Sequence, residues 1–122
     1  MIFNTAKYIR YLHENNWLMK EFDLKKRTKS FTISILNLVD NLPMKNSTRI
    51  IANQLGKSGS SVGANYRASL RARSDNEYLS KMNIVLEETD ESHFWLEVLQ
   101  ELNVVDNKEF SGYNLINVLL IA

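Results

Sequence analysis

The sequence predicts an all-α fold built from a few long helices. Three observations carry this reading. The 122 residues contain four Gly and one Pro, few for a sheet with many reversals. Apolar residues recur at helical spacing over long segments. One of those segments opens with a helix-capping sequence, Ser74-Asp75-Asn76-Glu77. With 44% hydrophobic and 24% charged residues, the composition fits one globular domain around one core.

Residues 1–24 read as an N-terminal extension, in which "NTAKYIRYLH" has the features of a short helix capped by Asn4. The bundle itself is expected over residues 25–122. Its first helix runs from Thr28 to Leu42, carried by Phe31, Ile35, Leu38, Val39 and Leu42, although "FTISI" also alternates as a strand would. Pro43 ends it, because the residue before a proline avoids helical geometry. "KNS" then supplies turn and cap.

The second helix is expected over residues 47–73, and it must cross "GKSGSSVGANYR". Gly56-Lys57-Ser58 imitates the end of a phosphate-binding loop, but Ile51 stands where that motif needs its first glycine and no strand precedes it. Helical phase, by contrast, runs on undisturbed. Ile51, Leu55, Ser58, Val62, Asn65, Ser69 and Ala72 fall within about 100° of one another on a helical wheel. Each interior glycine costs about 1 kcal/mol relative to alanine. Gly56, Gly59 and Gly63 therefore predict a surface against which another helix packs unusually closely.

The third helix begins at the Ser74–Glu77 capping box and continues through Leu79, Met82, Val85, Leu86, Thr89, His93, Leu96 and Leu99 to about Val105. Such a rod is about 45 Å long. A second stripe of Glu88, Glu91, Trp95, Val98 and Leu102 implies a second packing partner, either a bundle neighbour or another subunit. "DNKEF" breaks the chain, and residues 109–121 read as a fourth helix.

Charge divides the chain sharply. Residues 46–73 hold five basic and no acidic side chains, whereas residues 74–122 hold two basic and ten acidic ones. Arg49, Arg67 and Arg71 fall opposite the core stripe of the second helix and Lys57 lies within about 80° of them, either as a solvated face or as contacts to nucleic-acid phosphates. Asn65 lies in that stripe and needs a hydrogen-bond partner, for which Glu88 and Glu91 are candidates, as is Arg67. Asn65, Glu88 and Glu91 form either a structural polar network or, alternatively, a catalytic carboxylate pair. His93 reads as a core histidine, and Trp95 as a packing or interface residue. No nucleophile or metal cluster accompanies them, so no enzyme, cofactor, metal site or small-molecule substrate is expected. The lack of cysteine suits a reducing cytoplasm, and "LINVLLIA" is too short to span a bilayer.

Taken together, two blocks resemble the proteins encoded within intervening sequences of 23S ribosomal RNA genes. Their pattern, Q-L-x-R-S-G-x-S-I-G-A-N-x-R-E-A, is matched by Gln54, Leu55, Ser58, Gly59, Ser61, Val62, Gly63, Ala64, Asn65 and Arg67. The next block matches at Ala72, Ser74, Glu77, Tyr78, Lys81, Met82, Ile84, Leu86, Glu88, Glu91, Trp95 and Leu96. Lys57 replaces an arginine of the pattern, and Ala68 replaces a glutamate. The resemblance covers roughly residues 29–102 and implies an antiparallel four-helix bundle, up-down-up-down, assembled into a homo-oligomeric ring, commonly a pentamer. Relatives include the accessory protein of diversity-generating retroelements, which binds nucleic acid. The expected function is therefore binding of RNA or DNA through the basic second-helix face. A structural or adaptor protein engaging only proteins is the alternative.

Overall fold

A computed structural model describes residues 24–105 of the chain. Three helices make up this region, α1 (Leu24–Asp40), α2 (Asn46–Ser69) and α3 (Asp75–Glu101), with no strand among the described residues. The first 23 residues and the expected fourth helix over 109–121 lie outside the described residues.

Helix α1 opens four residues earlier than the apolar period suggests, and Leu24 is already buried. "FTISI" is helical: Phe31 and Ile35 fall on the buried face, and Ile33, between them, is exposed. Alternation would have put all three on one side. After Asp40 the chain reverses through Pro43. Thr48 braces the turn, accepting from the Lys45 N–H at 3.0 Å and donating to the Pro43 carbonyl.

Helix α2 crosses the glycine-rich stretch without interruption. It ends at Ser69, short of the expected residue 73. The Leu70, Arg71 and Ala72 amides bond three residues back, at 3.3, 3.1 and 3.1 Å, tightening the last turn. The chain must leave helical geometry here because Ser74, the cap of α3, needs extended backbone (φ −152°, ψ 163°). Ser74 Oγ accepts the Glu77 amide at 3.1 Å, as the capping sequence requires. The return bond differs: the Glu77 carboxylate takes the Arg73 amide at 3.2 Å, one residue earlier than a capping box specifies. Helix α3 closes in a Schellman turn, with Asn103 left-handed (φ 59°) and the Val104 amide reaching the Leu99 carbonyl at 3.0 Å.

Helices α1 and α3 each pack on α2; among the described residues their own backbones stay apart, while buried side chains of all three helices share one core. Contacts along α1 run from Thr28 beside Gly63 to Ile35 beside Gly59, so α1 and α2 are antiparallel. Only five residues join α2 to α3, which pack along their lengths, making this pair antiparallel as well. The core between them contains Ile35, Leu55, Val62, Tyr66, Val85, Leu96 and Leu99, all essentially inaccessible. Full burial of an aliphatic side chain of this size contributes about 1.5–3 kcal/mol.

The three interior glycines of α2 are not equivalent. A Cβ on Gly59 would lie 2.5 Å from Ile35 Cγ2, and one on Gly63 would lie 2.7 Å from Thr32 Oγ1 and 3.2 Å from the Thr28 carbonyl oxygen. A Cβ on Gly56 would meet nothing within 4 Å. Close approach of a second helix thus explains Gly59 and Gly63, and the expectation that it also explains Gly56 does not hold. Thr32 exploits the gap. Its hydroxyl donates to the Gly59 carbonyl at 2.7 Å and accepts the Gly63 amide at 3.3 Å, joining the ladder of α2 from outside.

Substituting these glycines should separate the two cases. Gly56→Ala should raise stability by up to about 1 kcal/mol through helix propensity alone. Gly59→Ala should lower it despite the same gain, because overpacking costs about 1–3 kcal/mol and the branched Ile35 Cβ has no room to yield. Urea unfolding of the two variants checks the opposite signs.

Candidate nucleic-acid interface

Burying one side of α2 against both neighbours leaves its opposite side to solvent. Arg49, Lys57, Arg67 and Arg71 are all exposed there or just beyond it. At 1.5 Å per residue, Arg49 and Arg67 are about 27 Å apart, with Lys57 between them. Arg71 lies in the turn after α2, so its helical-wheel position beside Arg67 does not carry over. The Arg49 guanidinium donates to Asn46 Oδ1 at 3.1 Å, which orients it along the first turn of the helix. Arg49 also lines an open groove of about 590 Å³ where α1 turns into α2, together with Val39, Leu42, Met44 and Lys45. No acidic residue interrupts this face anywhere from 46 to 73.

Lys57 differs from the arginines in its surroundings. It lies close enough to Glu88 of α3 to favour that carboxylate's charged form. The Glu88 carboxyl is nevertheless held above the usual carboxylate range, first by burial, then by Glu91 and, more weakly, Glu87. Glu88 is half-buried and Glu91 exposed.

The polar contacts around Asn65 differ from the expected network. Asn65 is half-buried and donates its amide to the Ser61 carbonyl at 2.9 Å, one turn back on its own helix. Tyr66, the next residue, is the one fully buried. The direct polar link between α2 and α3 lies instead at Ser58 and Ser92, whose hydroxyl oxygens are 2.8 Å apart in the core. Ser92 donates to Ser58, whose own hydroxyl donates on to the Leu55 carbonyl at 3.3 Å; the Glu88 carbonyl, 2.8 Å from Ser92, competes for the same Ser92 proton. Ser58 was visible on the core stripe. Ser92 was not, because the larger His93 beside it takes its place in the apolar run, although Ser92 lies one turn from Leu96 on the buried face.

His93 is partly exposed rather than buried, with Nε2 3.1 Å from the Glu97 carboxylate on the same helix. Trp95 is half-buried, with its indole Nε1 enclosed and lacking a hydrogen-bond partner, and its ring meets Phe94 edge-on at 4.9 Å. Among the described residues, no group of three His, Cys, Asp or Glu could hold a metal ion. No helix among them is long and apolar enough to cross a membrane.

Because the folded-state pKa of Glu88 is raised, the native state binds that proton more tightly than the unfolded chain. Its charge therefore costs stability at neutral pH, and the cost fades as pH falls through the raised pKa towards the ordinary carboxylate value of about 4.3. Glu88→Gln should accordingly stabilise at pH 7 by less than about 1 kcal/mol, given solvent screening. The gain should vanish once both states are protonated, which urea unfolding at two pH values measures. Lys57→Gln should push the Glu88 titration higher still, as followed by carboxyl NMR.

Comparison with solved structures gives a match to the crystal structure of a protein of unknown function from the S23 ribosomal protein family of Bacteroides thetaiotaomicron VPI-5482. It is 29% identical, covers 80% of this chain and 89% of the other, and superposes with a TM-score of 0.72. No curated protein matches the chain. Neither the matching family nor the matching structure is described as catalytic. The helix-two and helix-three blocks, the uninterrupted α2 and the small residues at its contact with α1 all fall within residues 20–117, which match the model of the 23S rRNA-intervening sequence protein; the chain belongs to that family.

Proposed function

We propose that this chain is a non-catalytic, self-associating helical bundle that binds RNA or another nucleic acid through the outer face of α2. Arg49, Lys57, Arg67 and Arg71 contact phosphates and read no bases. The observation that carries this is the charge of residues 46–73: five cations, no anion, and the four named side chains exposed. Helical rods with one cationic face neutralise phosphates without needing a pocket, and the binding energy comes largely from released counterions. The matching structure's place in a ribosomal protein family fits an RNA partner. The assembly we propose is a ring, of five copies as the family resemblance implies. It works inside the cytoplasm and requires no cofactor or small-molecule substrate.

A second reading is a structural or adaptor protein that engages proteins only. The acidic, partly apolar outer face of α3 favours it, with Phe94 54% and Leu102 51% exposed.

Titration with a fluorescent single-stranded or hairpin RNA at 50 and 200 mM salt decides between them. Nucleic-acid binding predicts affinity that falls steeply with salt. Replacing Arg49, Lys57, Arg67 or Arg71 by Gln should weaken binding similarly for unrelated sequences, each lowering the log–log salt slope by about 1. No affinity at low salt would leave the adaptor reading.

A further inference from the structure

Arg49 and Arg67 stand at the edge of α2 nearest α1. On a helical wheel Arg49, Gly56, Ser60 and Arg67 fall within about 40° of one another, and Gly56 is about 20° from Gly63, where α1 meets bare backbone. Lys57 is about 80° further round. On α1, Lys25 and Lys29 lie within about 60° of Thr32, the residue that bonds α2, on the side turned from the buried Phe31 and Ile35. Lys25, Lys29, Arg49 and Arg67 are all exposed.

The two sets of cations also match in level. Thr28 lies beside Gly63 and the helices are antiparallel, so Lys25 comes level with Arg67, and Lys29 with Gly63. At the other end the chain reverses, and Lys45 joins Arg49 on the wall of the groove at the turn. Asp40, the one acid of α1, lines that groove too, outnumbered there by the two cations. The result is a seam about 27 Å long with positive charge on both margins. Gly56, Ser60 and Gly63, all half-buried, form its floor.

Like charges held on two closely packed helices repel, and more strongly where water is displaced. None of Lys25, Lys29, Arg49 and Arg67 is ion-paired among the described residues. A polyanion laid between the margins would remove that repulsion. Gly56 suits the same occupant. A Cβ there would meet nothing within 4 Å, so no contact inside the described structure accounts for the missing side chain. Bare backbone at such a point lets a ligand approach closely. Among polyanions, a phosphodiester strand repeats its charge along a line, as a straight seam requires.

We propose that the backbone of the bound nucleic acid lies lengthwise in the seam between α1 and α2, held from one side by Lys25 and Lys29 and from the other by Arg49 and Arg67. This rests on the nucleic-acid reading above and adds α1 to the binding surface.

Titration of the full chain with a fluorescent RNA of about 20 nucleotides at 50 and 200 mM salt tests it, with circular dichroism as the check on folding. Lys25→Gln and Lys29→Gln should each lower the log–log salt slope by about 1, and together weaken binding at least tenfold at the lower salt. Lys26→Gln removes the same charge from the side of α1 turned away from α2, and should leave the slope unchanged. Gly56→Leu should weaken binding without any change of charge, while urea unfolding shows stability no lower than wild type. Unchanged slopes in both seam-lysine variants, or wild-type affinity in Gly56→Leu, overturn the seam and leave binding to α2 alone. An equal loss of slope in Lys26→Gln also overturns it, because overall charge would then suffice. Competition by polyglutamate of matched charge as strong as by unlabelled RNA overturns nucleic acid as the occupant. A wild type without affinity at 50 mM salt overturns the nucleic-acid reading itself.

Discussion

The described part of the molecule depends on how closely α1 approaches the backbone of α2. At Gly59 and Gly63 there is no space for a methyl group, and Thr32 reaches through the gap to hydrogen-bond α2's own carbonyl and amide. Two helix-destabilising residues are kept because what they admit, Ile35 against bare backbone and a hydroxyl bridging the ladder, more than offsets the loss of propensity. The same contact fixes rotation. Once Gly59 and Gly63 face α1, Ser58 faces α3 and the remaining arc of α2 faces solvent.

Much of the surface follows from that rotation. With α1 on one flank and α3 on another, the cations of α2 have nowhere to go but outward. Lys57 is the partial exception, near enough to Glu88 to oppose the upward pull of burial and of Glu91 on that carboxyl. The acidic character of α3 is therefore felt at Lys57, on one edge of the basic face. Charge separation between helices two and three in the sequence thus becomes a spatial boundary in the structure.

Several buried hydroxyls are satisfied within their own helix. Thr28, Ser58, Ser69 and Thr89 donate to carbonyls three or four residues back. Such hydroxyls satisfy themselves locally and leave helix faces free to pack. Asn65 follows the same habit with Ser61, so it sets no register between helices. Ser58 and Ser92 do, because the Ser92 hydroxyl donates to that of Ser58 across the α2–α3 boundary.

The fold was legible in the sequence wherever the signal was periodic and local. Apolar spacing placed Ile51, Leu55 and Val62 on the buried side of α2 and Met82, Val85, Leu96 and Leu99 on that of α3. The Ser74 cap was readable because its bond to the Glu77 amide spans only three residues. The exposure of Arg49, Lys57 and Arg67 followed from the same periodicity. Tertiary structure alone decided the rest. Which glycines are packed, and that Gly56 is not, depends on where a second helix crosses. The end of α2 at Ser69, which removes Arg71 from the helix, depends on the turn that α3's cap requires. The choice of Ser92 over Asn65 as the cross-helix partner depends on side-chain direction, to which hydropathy is blind. Local chemistry sets each helix and its phase; only the meeting of two helices sets which atoms of those faces touch.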